Sequence, residues 1–100
     1  MLQKNEIISK LQKLKPLYEE EGLILLGVFG SYAKNTQNNF SDIDIAYKLD
    51  YDKFSLKYKD GFSKILRIDD IKEELEKTFK TKIDFVPNNN QSILSDIVYV

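Results

Sequence analysis

The stretch from Leu23 to Leu49, LILLGVFGSYAKNTQNNFSDIDIAYKL, decides the reading of this chain. It opens on Leu23–Phe29, apolar on both faces, as expected of a strand buried on both sides of a sheet. Gly27 inside that run marks a bulge or a close approach by something else. The run breaks at Gly30-Ser31, and Ser31–Lys34 can begin a short helix with Ser31 near its cap. Asn35–Asn39 is polar and turn-rich, hence a loop. Asp42–Leu49 then alternates: Asp42, Asp44 and Ala46 project to one face, Ile43, Ile45 and Tyr47 to the other.

On the N-terminal side, Asn5 can cap a helix whose apolar positions Ile7, Ile8, Leu11 and Leu14 fall at helical spacing. Pro16 removes a hydrogen bond from any continuous helix, so a break or kink is expected near Lys15, with a further turn carrying Leu17 and Tyr18. Gly22 then stops that turn as a C-cap. On the C-terminal side, Tyr51, Phe54, Tyr58 and Phe62 recur every three or four residues, which predicts a helix interrupted at Gly61. A better helix follows, with Ile68, Ile71, Leu75 and Phe79 as one stripe and Asp69 or Asp70 as its cap. Lys82–Val86 reads as a short strand ended by Pro87, and Asn88-Asn89-Asn90 as a turn. Gln91–Val100 reads as a short helix running into an apolar tail. Neither an internal repeat nor a second domain is visible, so residues 1–100 are read as a single domain with one core.

Composition closes several routes. With 42% apolar and 31% charged residues the chain is ordinary for a soluble globular protein. A net charge of −1 gives no general field to hold long nucleic acid, and Arg67 is the sole arginine for base readout. The chain has no cysteine and no histidine. Disulfides, thiol chemistry, zinc sites and histidine-based triads are therefore excluded, and a metal site must use oxygen ligands, which favours magnesium or manganese. The longest apolar run is far too short to span a membrane, and Met1-Leu2-Gln3-Lys4 does not open a signal peptide, so a cytoplasmic location is the default expectation.

Chemistry concentrates on three carboxylates. Residues i and i+2 of a strand lie on one side, about 7 Å apart at their Cα atoms. Asp42 and Asp44 so placed repel each other unless a cation lies between them. A pair of magnesium ions about 3.5–4 Å apart, bridged by carboxylates, fits that arrangement; for Asp-x-Asp alone, an edge strand with solvent-facing aspartates is the better reading, because short motifs match by accident. Gly30-Ser31, between a buried strand and a helix start, offers backbone N–H groups, close approach and one hydroxyl to a phosphate, although Gly-Ser is also a common turn. It is neither a Walker loop nor a Gly-x-Gly-x-x-Gly fingerprint. Asp84 lies between Ile83 and Phe85 in an apolar strand, which is unfavourable unless it is exposed or engaged. If that strand neighbours Asp42–Leu49, Asp84 joins the pair.

Gly30-Ser31, ten residues, then Asp42-x-Asp44, in the wording FGSYAKN…SDIDIAYK, resembles the polymerase β-type nucleotidyltransferases and, more closely, their minimal nucleotidyltransferase (MNT) branch. The likeness covers nearly the whole chain. It implies an α+β polymerase β-like nucleotidyltransferase fold, a small mixed β-sheet flanked by helices on one side. It further implies that Asp42 and Asp44 bind metal, that Asp84 is the third carboxylate and activates the acceptor hydroxyl, and that Gly30 and Ser31 hold the triphosphate of ATP. Lys34, one turn from Ser31, can touch a phosphate or remain solvated. One departure concerns Asn35, where many relatives carry glycine; asparagine tolerates the left-handed backbone better than most residues.

The reaction so implied is in-line attack by a hydroxyl on the α-phosphorus, with release of pyrophosphate. Larger members of the superfamily add an acceptor-holding domain for which these residues leave no room, so the acceptor is expected on another molecule. MNT proteins resemble the antitoxins of two-gene modules whose partner is a HEPN ribonuclease toxin. In that family the antitoxin adds AMP to a toxin tyrosine. The tail Ile97–Val100 and the segment Tyr51–Phe62 are candidate contact surfaces, or else core. Three alternatives remain open at this level: an antitoxin that acts by binding alone, a small-molecule nucleotidyltransferase of the aminoglycoside-modifying kind, and a metal-binding module without transfer chemistry.

Overall fold

The computed structural model describes residues 3–34, 42–89 and 96–100. Its elements run α1 (Lys4–Glu19), β1 (Leu23–Phe29), α2 (Gly30–Lys34), β2 (Ile43–Leu49), α3 (Tyr51–Lys57), α4 (Gly61–Phe79), β3 (Ile83–Pro87) and β4 (Val98–Tyr99). The four strands form one sheet in the order β3-β2-β1-β4. β1 is antiparallel to both β2 and β4, whereas β2 and β3 run parallel, so the sheet is mixed. This is the α+β architecture expected from the resemblance.

Strand alternation sorts the sheet into two faces. Leu25, Val28, Ile43, Ile45, Tyr47 and Ile83 turn to one side and are buried there with Ile7, Leu11 and Tyr18 of α1, Phe54 of α3 and Ile71, Leu75 and Phe79 of α4. Register puts Asp44, Ala46 and Asp84 on the opposite side. At Gly27 the pairing of β1 with β2 slips by one residue, so the bulge anticipated there is present. A side chain at Gly27 would also meet the carbonyl oxygen of Val98 at 2.2 Å, so β4 lies flush against β1 for want of one.

Four boundaries differ from the sequence expectation. α1 begins before Asn5, with the Glu6 carboxylate accepting from the Gln3 N–H at 3.3 Å. It also runs unbroken through Pro16. Pro16 and Gln12 are both exposed, so the carbonyl that Pro16 leaves unpaired faces water, while Tyr18 beyond it is anchored in the core. α4 starts at Gly61, capped by Asp60 through Ser63 N–H at 2.6 Å; Asp69 and Asp70 lie inside the helix, and the interruption falls before Gly61. Finally, the C-terminal tail carries β4, where Val98 and Tyr99 pair with Val28 and Gly27. The expected loop at Asn35–Asn39, the departure at Asn35, Asn90 of the expected turn and the expected helix over residues 91–95 lie outside the described residues.

Gly22 supplies the predicted left-handed turn, at φ 98°, after the helix has ended at Glu19. Among the described residues, no helix is long and apolar enough to cross a membrane.

Candidate active site

β1 delivers the chain to Gly30, and β2 and β3 bring two aspartates beside it. Asp44 is the direct partner of Phe29 on one side and of Asp84 on the other. Parallel neighbours lie about 4.8 Å apart, so two carboxylates face outward from adjacent strands at hydrogen-bonding range. Gly30 adopts φ 70°, and a Cβ built there would sit 2.0 Å from Asp44 Oδ2. Glycine is required twice here, by the backbone conformation and by the carboxylate that occupies the space of a side chain.

Electrostatics follow from that crowding. Burial of Asp44, then the charges of Asp84 and Asp42, push its carboxyl up to about 6. Protonated Asp44 donates to Asp84, which also favours the neutral form. Asp42 and Asp84 are exposed, whereas Asp44 is half-buried between them. The three carboxylates share a face but are not drawn together around one point: among the described residues, no acidic trio is already set as a ligand cage. The donor set nonetheless fits a divalent cation. A proton on Asp44 relieves the Asp44–Asp84 repulsion below about pH 6, and a hard cation bound by oxygen ligands would relieve it above. Asp42, exposed just before β2, offers a further carboxylate two residues from Asp44.

α2 is held by Tyr32, buried in the core, and by Lys4 Nζ, which donates to the Ala33 carbonyl at 3.3 Å. Ser31 follows Gly30 directly, in the first turn of α2. Lys34, at the far end of α2, lies 3.5 Å from Asp96 in an exposed ion pair and reaches neither Asp44 nor Asp84 there. Of the residues singled out from sequence, Gly30, Asp44 and Asp84 are thus brought together, Ser31 is the next residue along from Gly30, Asp42 is exposed just before β2, and Lys34 pairs with Asp96. Phe29, which walls Asp44 on the β1 side, escaped the sequence reading. Its apolar character merged into the run before it.

The family model for polymerase β nucleotidyltransferases matches residues 6–99. The chain belongs to this family. Two proteins of Methanocaldococcus jannaschii, each named "Putative protein adenylyltransferase", are 34% and 30% identical to it, each match covering 95% of this chain and 92% of the relative. A solved structure described as a toxin-antitoxin with AMP-PNP superposes with a TM-score of 0.53 at 26% identity, over 93% of this nucleotidyltransferase. The nucleotidyltransferase spans 64% of that protein's length.

Proposed function

We propose that this nucleotidyltransferase transfers AMP from ATP to a tyrosine hydroxyl of a HEPN-type toxin and acts as that toxin's antitoxin. The observation that carries the reading is the juxtaposition of the Asp44–Asp84 pair with the backbone of Gly30 on the face of the sheet opposite the helical core. The names of the two relatives support protein adenylylation, and the toxin-antitoxin structure with AMP-PNP supports both the nucleotide and the kind of partner.

In this reading Asp42, Asp44 and Asp84 hold two magnesium ions, with manganese as a substitute. Bound metal supplies charge stabilisation for the attacking and leaving oxygens. Gly30 admits the triphosphate close to the backbone, and the Ser31 hydroxyl is a donor to it. Lys34 joins the phosphates only by leaving Asp96, a modest cost for an exposed pair. Asp84, exposed at the edge of the carboxylate group, orients the acceptor hydroxyl and takes up its proton. Among the described residues, α1, α3 and α4 pack on the other side of the sheet, and Asp84 and Tyr99 are exposed on this one, where an acceptor carried by a second protein would approach.

The test is incubation with magnesium and α-labelled ATP, with and without the product of the neighbouring gene, beside an Asp42→Asn/Asp44→Asn control. Label appears on the partner and is lost in the control. A tight complex that silences the partner without label would replace transfer by binding alone. No complex and no label would remove the toxin from the reading.

A further inference from the structure

Six tyrosines occur in the chain. Tyr18, Tyr32 and Tyr47 are buried in the core. Tyr58 is half-buried and donates its hydroxyl to Glu21. That leaves Tyr51 and Tyr99, exposed at 63% and 62%. They stand at different ends of the molecule. Tyr51 opens α3, two residues past Leu49, and so lies beyond the end of β2 that is about 17 Å along the strand from Asp44. Tyr99 is opposite Gly27, which is itself opposite Ala46.

Register then fixes the side on which Tyr99 lies. Val98 pairs with Val28, which shares the core face with Ile45. Val100 packs against the same core. Tyr99, between them, therefore projects to the face that carries Asp44 and Asp84. Two strand spacings of about 4.8 Å and two residues of about 3.3 Å put its Cα about 12 Å from that of Asp44. A tyrosine side chain from one end and a bound nucleotide from the other bridge such a span.

The β4 segment is also held in place. Val100 N–H donates to the Leu26 carbonyl at 2.9 Å, and Lys15 Nζ donates to the Val100 carbonyl at 3.0 Å. The Lys34–Asp96 pair ties the approach to β4 beside α2. Tyr99 is thus an accessible phenol on an anchored strand, facing the carboxylates.

We infer that Tyr99 is an acceptor in cis: the protein adenylylates its own Tyr99 hydroxyl. The inference rests on the proposed transfer activity and adds a modification site to it. The phenolic oxygen forms a bond to the α-phosphorus of ATP, and the bond from that phosphorus to the oxygen bridging to the β-phosphorus breaks. Pyrophosphate leaves, and the phenolic proton passes to a carboxylate of the same face and on to water. The product is a tyrosyl-AMP phosphodiester, with no oxidant or further co-reactant needed.

The full chain, without partner, is incubated with α-labelled ATP and magnesium, and the label is located by peptide mass analysis. The peptide carrying Tyr99 gains one AMP, and Tyr99→Phe lowers self-labelling about tenfold or more. Tyr51→Phe leaves it unchanged, and Asp42→Asn/Asp44→Asn abolishes it. Dilution leaves the fraction labelled per unit time constant, as a reaction within one molecule requires. Self-label that persists in Tyr99→Phe overturns the inference, as does a rate that scales with protein concentration. No label on Tyr99 here, with label on the partner protein in a parallel incubation that contains it, overturns the inference and leaves the transfer reading standing. Label on neither removes both.

Discussion

A carboxylate set between Phe29 and Asp84, with the α-carbon of Gly30 against its Oδ2, has little room for water. The charge of Asp44 is therefore costly to the fold. Its carboxyl rises from an ordinary 3.8 to about 6, through burial first and the neighbouring carboxylates second. The folded protein thus holds the Asp44 proton more tightly than the unfolded chain. Stability from this group is full below about pH 4 and is lost as pH rises through about 6. Unscreened, the shift amounts to about 3 kcal/mol; Asp44 keeps solvent access, so roughly 1–2 kcal/mol remains. In chelating buffer near neutral pH, Asp44→Asn is accordingly more stable than the parent by about that amount. The gap closes toward pH 4, and transfer activity is lost at every pH. Urea unfolding at the two pH values checks it. A parent that gains stability with rising pH without metal would mean that Asp44 is comfortable as an anion and that no cation is called for.

At the scale of elements, glycines show where backbone contact decides and where it does not. Gly27 lets β4 dock flush, since a Cβ there would meet the Val98 carbonyl oxygen at 2.2 Å and the Tyr99 Cα at 2.9 Å, both backbone atoms with little freedom to move. Gly27→Ala should cost about 1–3 kcal/mol and loosen β4. Gly61, at the first turn of α4, has nothing within 4 Å of such a Cβ. Gly61→Ala should be neutral or raise stability by up to about 1 kcal/mol. Paired thermal melts read both, with amide exchange at Val100 N–H reporting on β4; equal effects would mean that β4 is not seated on Gly27. The same elements mark what the sequence could tell. β1 and β3 were legible as short apolar runs, the β1 bulge from its single glycine, and β2 from an alternation that leaves one choice of face. The pairing of Asp44 with Asp84 was legible only as a condition, since sheet order is a long-range fact that no local pattern carries. β4 was not legible: two strand residues have no period of their own, and their apolar character suits a helix end equally well. The cap of α4 was misplaced because Asp60, Asp69 and Asp70 all precede apolar residues. Only the Ser63 side chain and N–H, both bonded to Asp60, distinguish the true start.

The molecule as a whole is tied at the end remote from the site. Arg67 of α4 donates to both oxygens of Glu21, at 2.9 and 2.7 Å, and to Glu74 at 2.9 Å. Tyr18 of α1 donates to Glu74 at 2.9 Å, and Tyr58 donates to Glu21. One guanidinium thus joins the end of α1, the link between α3 and α4, and α4 itself. Glu21 stands two residues before β1, whereas Gly30 follows the strand's last residue, so the clamp and the carboxylates are separated by the strand's seven residues, about 23 Å. Removing the guanidinium leaves Glu21 half-buried beside Tyr58 without its cation. Arg67→Met should therefore cost about 2 kcal/mol, below the range for fully buried pairs because solvent still reaches this one. The hydrogen bonds from Arg67 chiefly hold the Glu21 carboxyl below its ordinary range. That contribution is present above about pH 4.5 and fades as pH falls through the lowered value, so the gap between parent and variant narrows in acid. Transfer rate per folded molecule, measured below the melting range, stays at the parent level. A variant that loses rate in proportion to nothing in its unfolding curve would show that the clamp reaches the site through β1. Stability lost without rate lost assigns Arg67 to the fold alone, and leaves the face of the sheet opposite the helical core as the place where the chemistry is set.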